Sequence, residues 1–463
     1  MKTEEKIRLL YLRAGFGLRP EEWAKKRTEK LGKQLDELFG ETKAQPFAPL
    51  AFAYPKDPKS LTKEKRKMLR KKSRKLRNQV NSQWIERMIR PKKESPLLDK
   101  MALFWHGHFA CEPKLHHHAE EYLAVIRQHA LGNFKDLLLA VSKSTAMILY
   151  LNNQQNRKKK PNENFARELM ELFTLGRGHY SEQDIKESAR AFTGWHCDPL
   201  QAQFKFKERQ HDAESKTFMD QRGNFGGEDI INIILQQKRC AEFLAEKLYA
   251  FFVNERAPNK KHIAALADTI YKSNYDLKIS LRFLFEAKWF YQPTHLGANI
   301  KSPVMLLVQL ARILDLRASE DLAWLQAQRA LGQILFKPPN VAGWPGGRSW
   351  IDPSLLLLRL NLAAVIFEKT DIVFRPKDDP KAVMRGKGFR KLALKANIQP
   401  LKQLVAAGSA EDILVQLSSY LLPIAPKLSA PKFQAYLSLA QTKEEQIQAA
   451  SLLLLSTPEF QIC

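Results

Sequence analysis

Four cysteines in 463 residues, at positions 111, 197, 240 and 463 with no C-x-x-C, are too few and too scattered for a zinc ribbon or a thioredoxin-type redox pair. A disulfide framework is equally unsuited to a chain of this size, so buried free thiols are expected. Long apolar runs are also missing. Stretches such as Leu355–Leu358 and Leu452–Leu455 fall far short of the ~20 residues a membrane span needs. Met1–Lys6 lacks the apolar core of a secretory signal, so the chain reads as cytoplasmic. There is no G-x-x-x-x-G-K-[ST], G-x-S-x-G, G-x-G-x-x-G or H-E-x-x-H, which leaves P-loop, serine-hydrolase, dinucleotide and zincin chemistry without support.

Acids are scarce relative to bases. Asp plus Glu total 49 against 75 Lys plus Arg, a formal charge of +26. The excess is concentrated. Lys56–Arg77 holds twelve basic residues and two acids, and Arg157–Lys160 adds four more positive charges. Lys63–Arg77, with ten Lys/Arg in fifteen residues, suits a nucleic acid or another anionic surface through counterion release, or is simply a solvated insertion. It has no interleaved aromatic side chains of its own, which argues against a stacking platform for single strands.

The patterning that is present is helical. Thr3 reads as an N-cap, with Ile7, Leu10, Tyr11 and Ala14 at helical spacing behind it. Helices are expected over Lys63–Arg90, Pro96–Ala110, His118–Leu131, Asn133–Asn152 and Asn162–Leu175. Another begins at the Ser181–Asp184 capping box. Residues 195–228, where Phe204 and Phe206 alternate with polar neighbours, read as a hairpin or irregular loop. Helices resume over Glu228–Asn254, Lys261–Thr269, Leu277–Ala287, Lys301–Leu316, Asp321–Leu335 and Pro353–Lys369, and about four follow in the last ninety residues. The fold class is therefore mainly α: a large multi-helical core over 1–375 carrying a basic insertion at 56–93. A linker near Asp378–Gly388 leads to a C-terminal helical extension, 376–463, packed on that core.

Several segments are distinctive together: Arg13–Gly17 (RAGFG), Phe104–Phe109 (FWHGHF), Arg127-x-His129–Phe134 and Asn162–Leu172 (NENFARELMEL). They continue with Thr193-Gly194-Trp195, His211-Asp212, the Pro338–Gly347 loop and Pro458–Gln461 (PEFQ). In these segments the sequence resembles the bacterial domain of unknown function 1800 family, in order and over nearly the whole chain. The resemblance implies a mostly helical protein. It also implies partnership with a family numbered 1501, itself similar to sulfatases and phosphatases, and export of many relatives. Relatives often carry His at the place of Phe173 and Asn at the place of His106.

The residues themselves suggest where chemistry would sit. On a helix from Asn162, Glu163, Arg167 and Glu171 share a face at i, i+4 and i+8, with Glu168 about 60° from Glu171. Apolar residues cover much of the rest, so burial of these charges is expected, and buried charges need pairing or a metal. The helix is therefore either a structural Arg–Glu network or a carboxylate site. His106 and His108 point about 160° apart on a helix, and His108 is the one that fits the family pattern. The three histidines His116–His118 diverge on a helix and read as surface loop. His211-Asp212 lies in the irregular segment, where ligand or acid–base roles are open. The enzyme-like reading assigns Glu163, Arg167, Glu168, Glu171 and His211 to catalysis. It assigns His108, Glu168, Glu171 and His211 to a divalent transition metal. Trp344, Arg348 and Trp350 form either a wall of a substrate cleft or a loop plugging the core. The competing reading is a non-enzymatic binding or assembly protein that uses the basic segment.

Overall fold

The computed structural model describes residues 1–52, 54–55, 61–368, 392–405, 408–427, 437 and 440–463. Among them are twenty α-helices and three two-stranded antiparallel sheets, so the protein is mainly α. Local chemistry starts many of the helices. Asn133 Oδ1 accepts from Lys135 N at 2.9 Å. At the Ser181–Asp184 box, Asp184 N donates to Ser181 Oγ while Ser181 N donates to Asp184 Oδ2, at 3.1 and 2.8 Å. Thr3 is the first helical residue rather than the cap, a shift of one position.

Two long expected helices are each broken once. Ser144 is extended, and its hydroxyl accepts from Met147 N, dividing 133–152 into Phe134–Lys143 and Thr145–Tyr150. Gln237 is also extended, without a side-chain cap bond, and separates Gly227–Gln236 from Lys238–Phe252. The 195–228 segment forms two hairpins. Trp195–Asp198 pairs with Gln203–Phe206, placing Trp195 opposite Phe206, and Lys216–Phe218 pairs with Gln221–Gly223.

The helix Lys63–Ile89 has two unlike halves. Thr62 Oγ1 caps it. From Val80 onward it buries Val80, Trp84, Ile85 and Met88 in the core, whereas nearly every side chain from Lys63 to Lys75 is exposed. Residues 56–60 of the expected basic insertion lie outside the described residues, as do the expected linker Asp378–Gly388 and the boundary at 375/376.

Three described helices, Gln399–Leu404, Ala410–Leu421 and Lys443–Leu455, follow late in the chain. Tyr420 packs 5.9 Å from Trp23, and its hydroxyl donates to Leu18 O at 2.8 Å.

The core also contains charge. Arg127, beneath the surface, donates to Asp99 Oδ1 at 2.8 Å and to Glu94 Oε1 at 2.7 Å; Glu94 also pairs with Arg87, and Trp84 Nε1 donates to Asp99. Two carboxylates and two guanidiniums thus balance one another. A second cationic group joins the first family segment to the last. Arg13 donates to His295 O and Cys463 O at 2.8 and 2.7 Å, Lys301 donates to Phe460 O, and Arg359 donates to Lys301 O and Gln461 Oε1. Lys100, fully enclosed, donates among the described residues to Leu12 O alone, at 3.4 Å, and burial pulls its ammonium down to about 7.

Candidate functional site

The expected acidic helix is not one α-helix. Asn164–Glu168 is α-helical and Leu169–Thr174 continues it as a π-turn, with Leu175 N donating to Met170 O at 2.9 Å. The wider turn breaks the i, i+4, i+8 stripe. Arg167 keeps Glu163 (3.2 Å) and takes Glu182 from the next helix (3.0 Å), with its side chain more than a third exposed. Glu171 turns away to Arg177 at 2.9 Å and to the Tyr180 hydroxyl at 3.0 Å. Burial, and then the neighbouring Glu171, hold the Glu168 carboxyl above its ordinary range.

His108 sits in an aromatic box of Phe104, Trp105, Phe109 and Phe173, and its Nε2 bonds Phe173 O at 3.0 Å. Burial lowers its imidazole to about 3, so it is neutral. His211 holds Thr193 O through Nδ1 at 2.9 Å. A carbonyl accepts only, so Nδ1 is the donor in this bond. Asp212 does not pair with it; Arg190 Nε claims Asp212 Oδ2 at 2.7 Å. Among the described residues no three His, Cys, Asp or Glu side chains are grouped to hold a metal ion. His108, Glu168, Glu171 and His211 thus do not form one coordination shell. The reason is visible in their partners: each is turned to a different neighbour by the π-turn, the aromatic box or the Thr193 carbonyl.

Trp344, Arg348 and Trp350 also separate. Trp350 is buried, Arg348 is exposed, and Trp344 lies over His106 at 5.2 Å. His106 Nε2 accepts from Phe336 N at 3.0 Å. Gly343, at φ +79°, passes so close that a Cβ would lie 2.5 Å from Gly107 O. This loop packs against the FWHGHF helix. His116–His118 form the first turn of a helix rather than a loop, and His117 and His118 both bond Pro199 O through Nε2, at 2.8 and 2.7 Å.

What the structure does bring together is a cleft of about 630 Å³ lined by Gln155, Arg157–Asn162, Arg209 and Gln210. Asn156 organises it from beneath. Its Nδ2 donates to Ala189 O at 2.8 Å, its Oδ1 accepts from Asn162 N at 2.9 Å, and its carbonyl accepts from Gly194 N at 3.2 Å. The Arg157–Lys160 turn closes on itself through Lys160 N to Arg157 O at 2.8 Å, and Lys158 N donates to Gln210 O at 2.9 Å. Gly194, at φ +81°, admits the Lys207 carbonyl to 2.8 Å of where a Cβ would stand. Three separate segments, 153–162, 193–195 and 207–212, are thereby fixed against one another. None of Arg157, Lys158, Lys159, Lys160 and Arg209 forms an ion pair among the described residues. Sequence reasoning registered the Arg157–Lys160 charge but missed Asn156 and Arg209. The signal available was the run of asparagines at 152, 153 and 156 immediately before the basic turn.

Fold and cleft together define a mainly α-helical protein in which the hydrogen-bonded geometry of the loops gathers cations without ion-pair partners among the described residues. Residues 9–462 match the family described as Protein of unknown function (DUF1800), and the chain belongs to that family. No curated protein and no solved structure matches it. Among the described residues no helix is long and apolar enough to cross a membrane.

Proposed function

We propose that the protein binds an anionic group, of the phosphate, sulfate or carboxylate kind, in the Arg157–Lys160/Arg209 cleft. One observation carries this reading: five cationic side chains without ion-pair partners line one cleft whose backbone is fixed from beneath by the buried Asn156. The fixed backbone keeps the five cations close to one another, and an anion gains charge-assisted bonds from them. Titration calorimetry with inorganic phosphate and sulfate tests it. Lys158→Glu combined with Lys160→Glu is expected to weaken binding at least tenfold, with the circular dichroism unchanged. Unchanged affinity in that variant refutes the reading.

A catalytic role for the acidic helix is favoured by one observation, the half-buried Glu168 whose carboxyl is raised above the usual carboxylate range by burial and then by Glu171. A proton-transfer group needs such poise. Carbon-13 NMR of the glutamate carboxyls is expected to show raised midpoints for Glu120, Glu121 and Glu168, of which one vanishes in Glu168→Gln. A spectrum without that midpoint removes the role.

A further inference from the structure

We propose that the cleft is one end of a longer track, and that the track binds single-stranded nucleic acid, the cleft taking one of its phosphates; this rests on the anion-binding reading above. The two basic clusters are 80 residues apart in sequence but are joined in the fold. The exposed half of the Lys63–Ile89 helix meets the His116–His118 turn where Ser73 Oγ accepts from His116 N at 3.1 Å. That turn grips Pro199 O through His117 and His118. Pro199 lies in the loop of the 195–206 hairpin, whose second strand runs on through Lys205, Phe206 and Lys207 to Arg209. Lys158 N, on the cleft wall, bonds the next residue, Gln210. The segments that carry the cations are therefore joined through neutral contacts, in the order helix, hairpin, cleft. His196, opposite Lys205 on the hairpin, registers this field, its imidazole pushed down by burial and then by Lys207, Arg157 and Lys205.

The track is largely free to bind. Among the described residues the ion pair in Lys63–Arg77 is Arg77 with Glu112, at 3.9 Å, and on the hairpin Lys205 pairs with Asp198 at 2.8 Å, while Lys207 and Arg209 have no ion-pair partner. The helix is also rigid there, because it continues without a break into the half anchored by Trp84.

Two features select the class of polyanion. Phe206, between two lysines, is 50% exposed, and its ring lies 5.3 Å from His211. An exposed ring amid cations is a stacking site for an unpaired base, which a duplex does not offer. An anionic bilayer asks for an apolar face on the basic helix; between Lys63 and Lys75 only Met68 among the apolar residues is fully exposed.

The test is fluorescence anisotropy with a labelled mixed-sequence 20-nucleotide DNA strand, with the same duplex and a sulfated polysaccharide, heparin, as competitors. Calorimetry with phosphate is run on the same proteins. Wild type is expected to bind the single strand with an affinity that falls steeply with salt. Phe206→Ala is expected to weaken it about tenfold while leaving phosphate affinity unchanged. Lys71→Glu with Lys75→Glu is expected to weaken the strand and flatten its salt dependence, again without effect on phosphate. Phosphate binding without strand binding overturns the track and leaves the cleft reading standing. Strand binding indifferent to Lys71 and Lys75 confines the site to the cleft and overturns the track. Heparin outcompeting the strand, with Phe206→Ala neutral, overturns nucleic acid in favour of a sulfated polymer. Absence of both phosphate and strand binding sinks both readings.

Discussion

The two halves of the Lys63–Ile89 helix carry arginine and lysine in opposite ways. In the inner half Arg87 meets Glu94, and Arg90 meets both Glu86 and Asp315, at 2.9 and 2.7 Å. Arg87 and Glu94 belong to the enclosed network that also holds Arg127, Asp99 and the Trp84 indole. In the outer half the cations stand in solvent with few carboxylates to meet. Beneath the surface an uncompensated charge costs several kcal/mol, and Arg87 and Arg127 each have a carboxylate there. Outside, the charges are tolerated unpaired, and what they lack is supplied by a ligand. The same residue types thus specify packing at one end of a helix and recognition at the other.

The largest expected effect comes from breaking the balanced end. Arg127→Ala leaves Asp99 without a cation and Glu94 with Arg87 alone, and is expected to cost about 3–5 kcal/mol in urea unfolding. A loss below about 1 kcal/mol would show that water already reaches the network.

Lys100 sharpens the contrast, as a buried cation with a single weak acceptor. Lys100→Met is expected to stabilise the fold, by on the order of 1 kcal/mol. The sign of its pH dependence follows from the ammonium's fall from 10.5 to about 7 in the fold. Between those values the unfolded chain binds the extra proton, so the wild type gains stability as pH rises from 7 toward 10. The advantage of Lys100→Met is therefore greatest at pH 6–7 and shrinks by pH 9.5, measured as the difference in Tm. An advantage independent of pH would place the effect in packing instead.

At the exposed end, Lys71→Glu with Lys75→Glu is expected to change unfolding free energy by no more than about 0.5 kcal/mol. A larger loss would mean that the outer half is part of the scaffold.

Much of the architecture was legible where a local rule decides the outcome. The Ser181–Asp184 box, the Asn133 cap and the apolar spacing of the helices each depend on residues a few positions apart. The site was less legible because it depends on packing. Nothing in Asn162–Leu175 announces a π-turn, so an ideal 3.6-residue repeat put Glu171 beside Arg167, whereas it meets Arg177 and Tyr180. Arg167, expected to be buried, is instead more than a third exposed, and its second partner, Glu182, comes from the following helix. Asn156 was invisible because its importance lies in three backbone groups at positions 162, 189 and 194. The glycine at 343 reads as loop punctuation until Gly107 is found beneath it.

The π-turn at Leu169–Thr174 also bears on how this chain length can vary among its kin. Such a turn amounts to one residue more than an α-helix needs over the same rise. Deleting one residue there would restore a regular helix while swinging everything beyond it by roughly 100°. Glu182 would be carried out of reach of Arg167, and Tyr180 out of reach of Glu171. The segment between these contacts is thus a fixed-length ruler, open to exchange of side chains but closed to insertion and deletion.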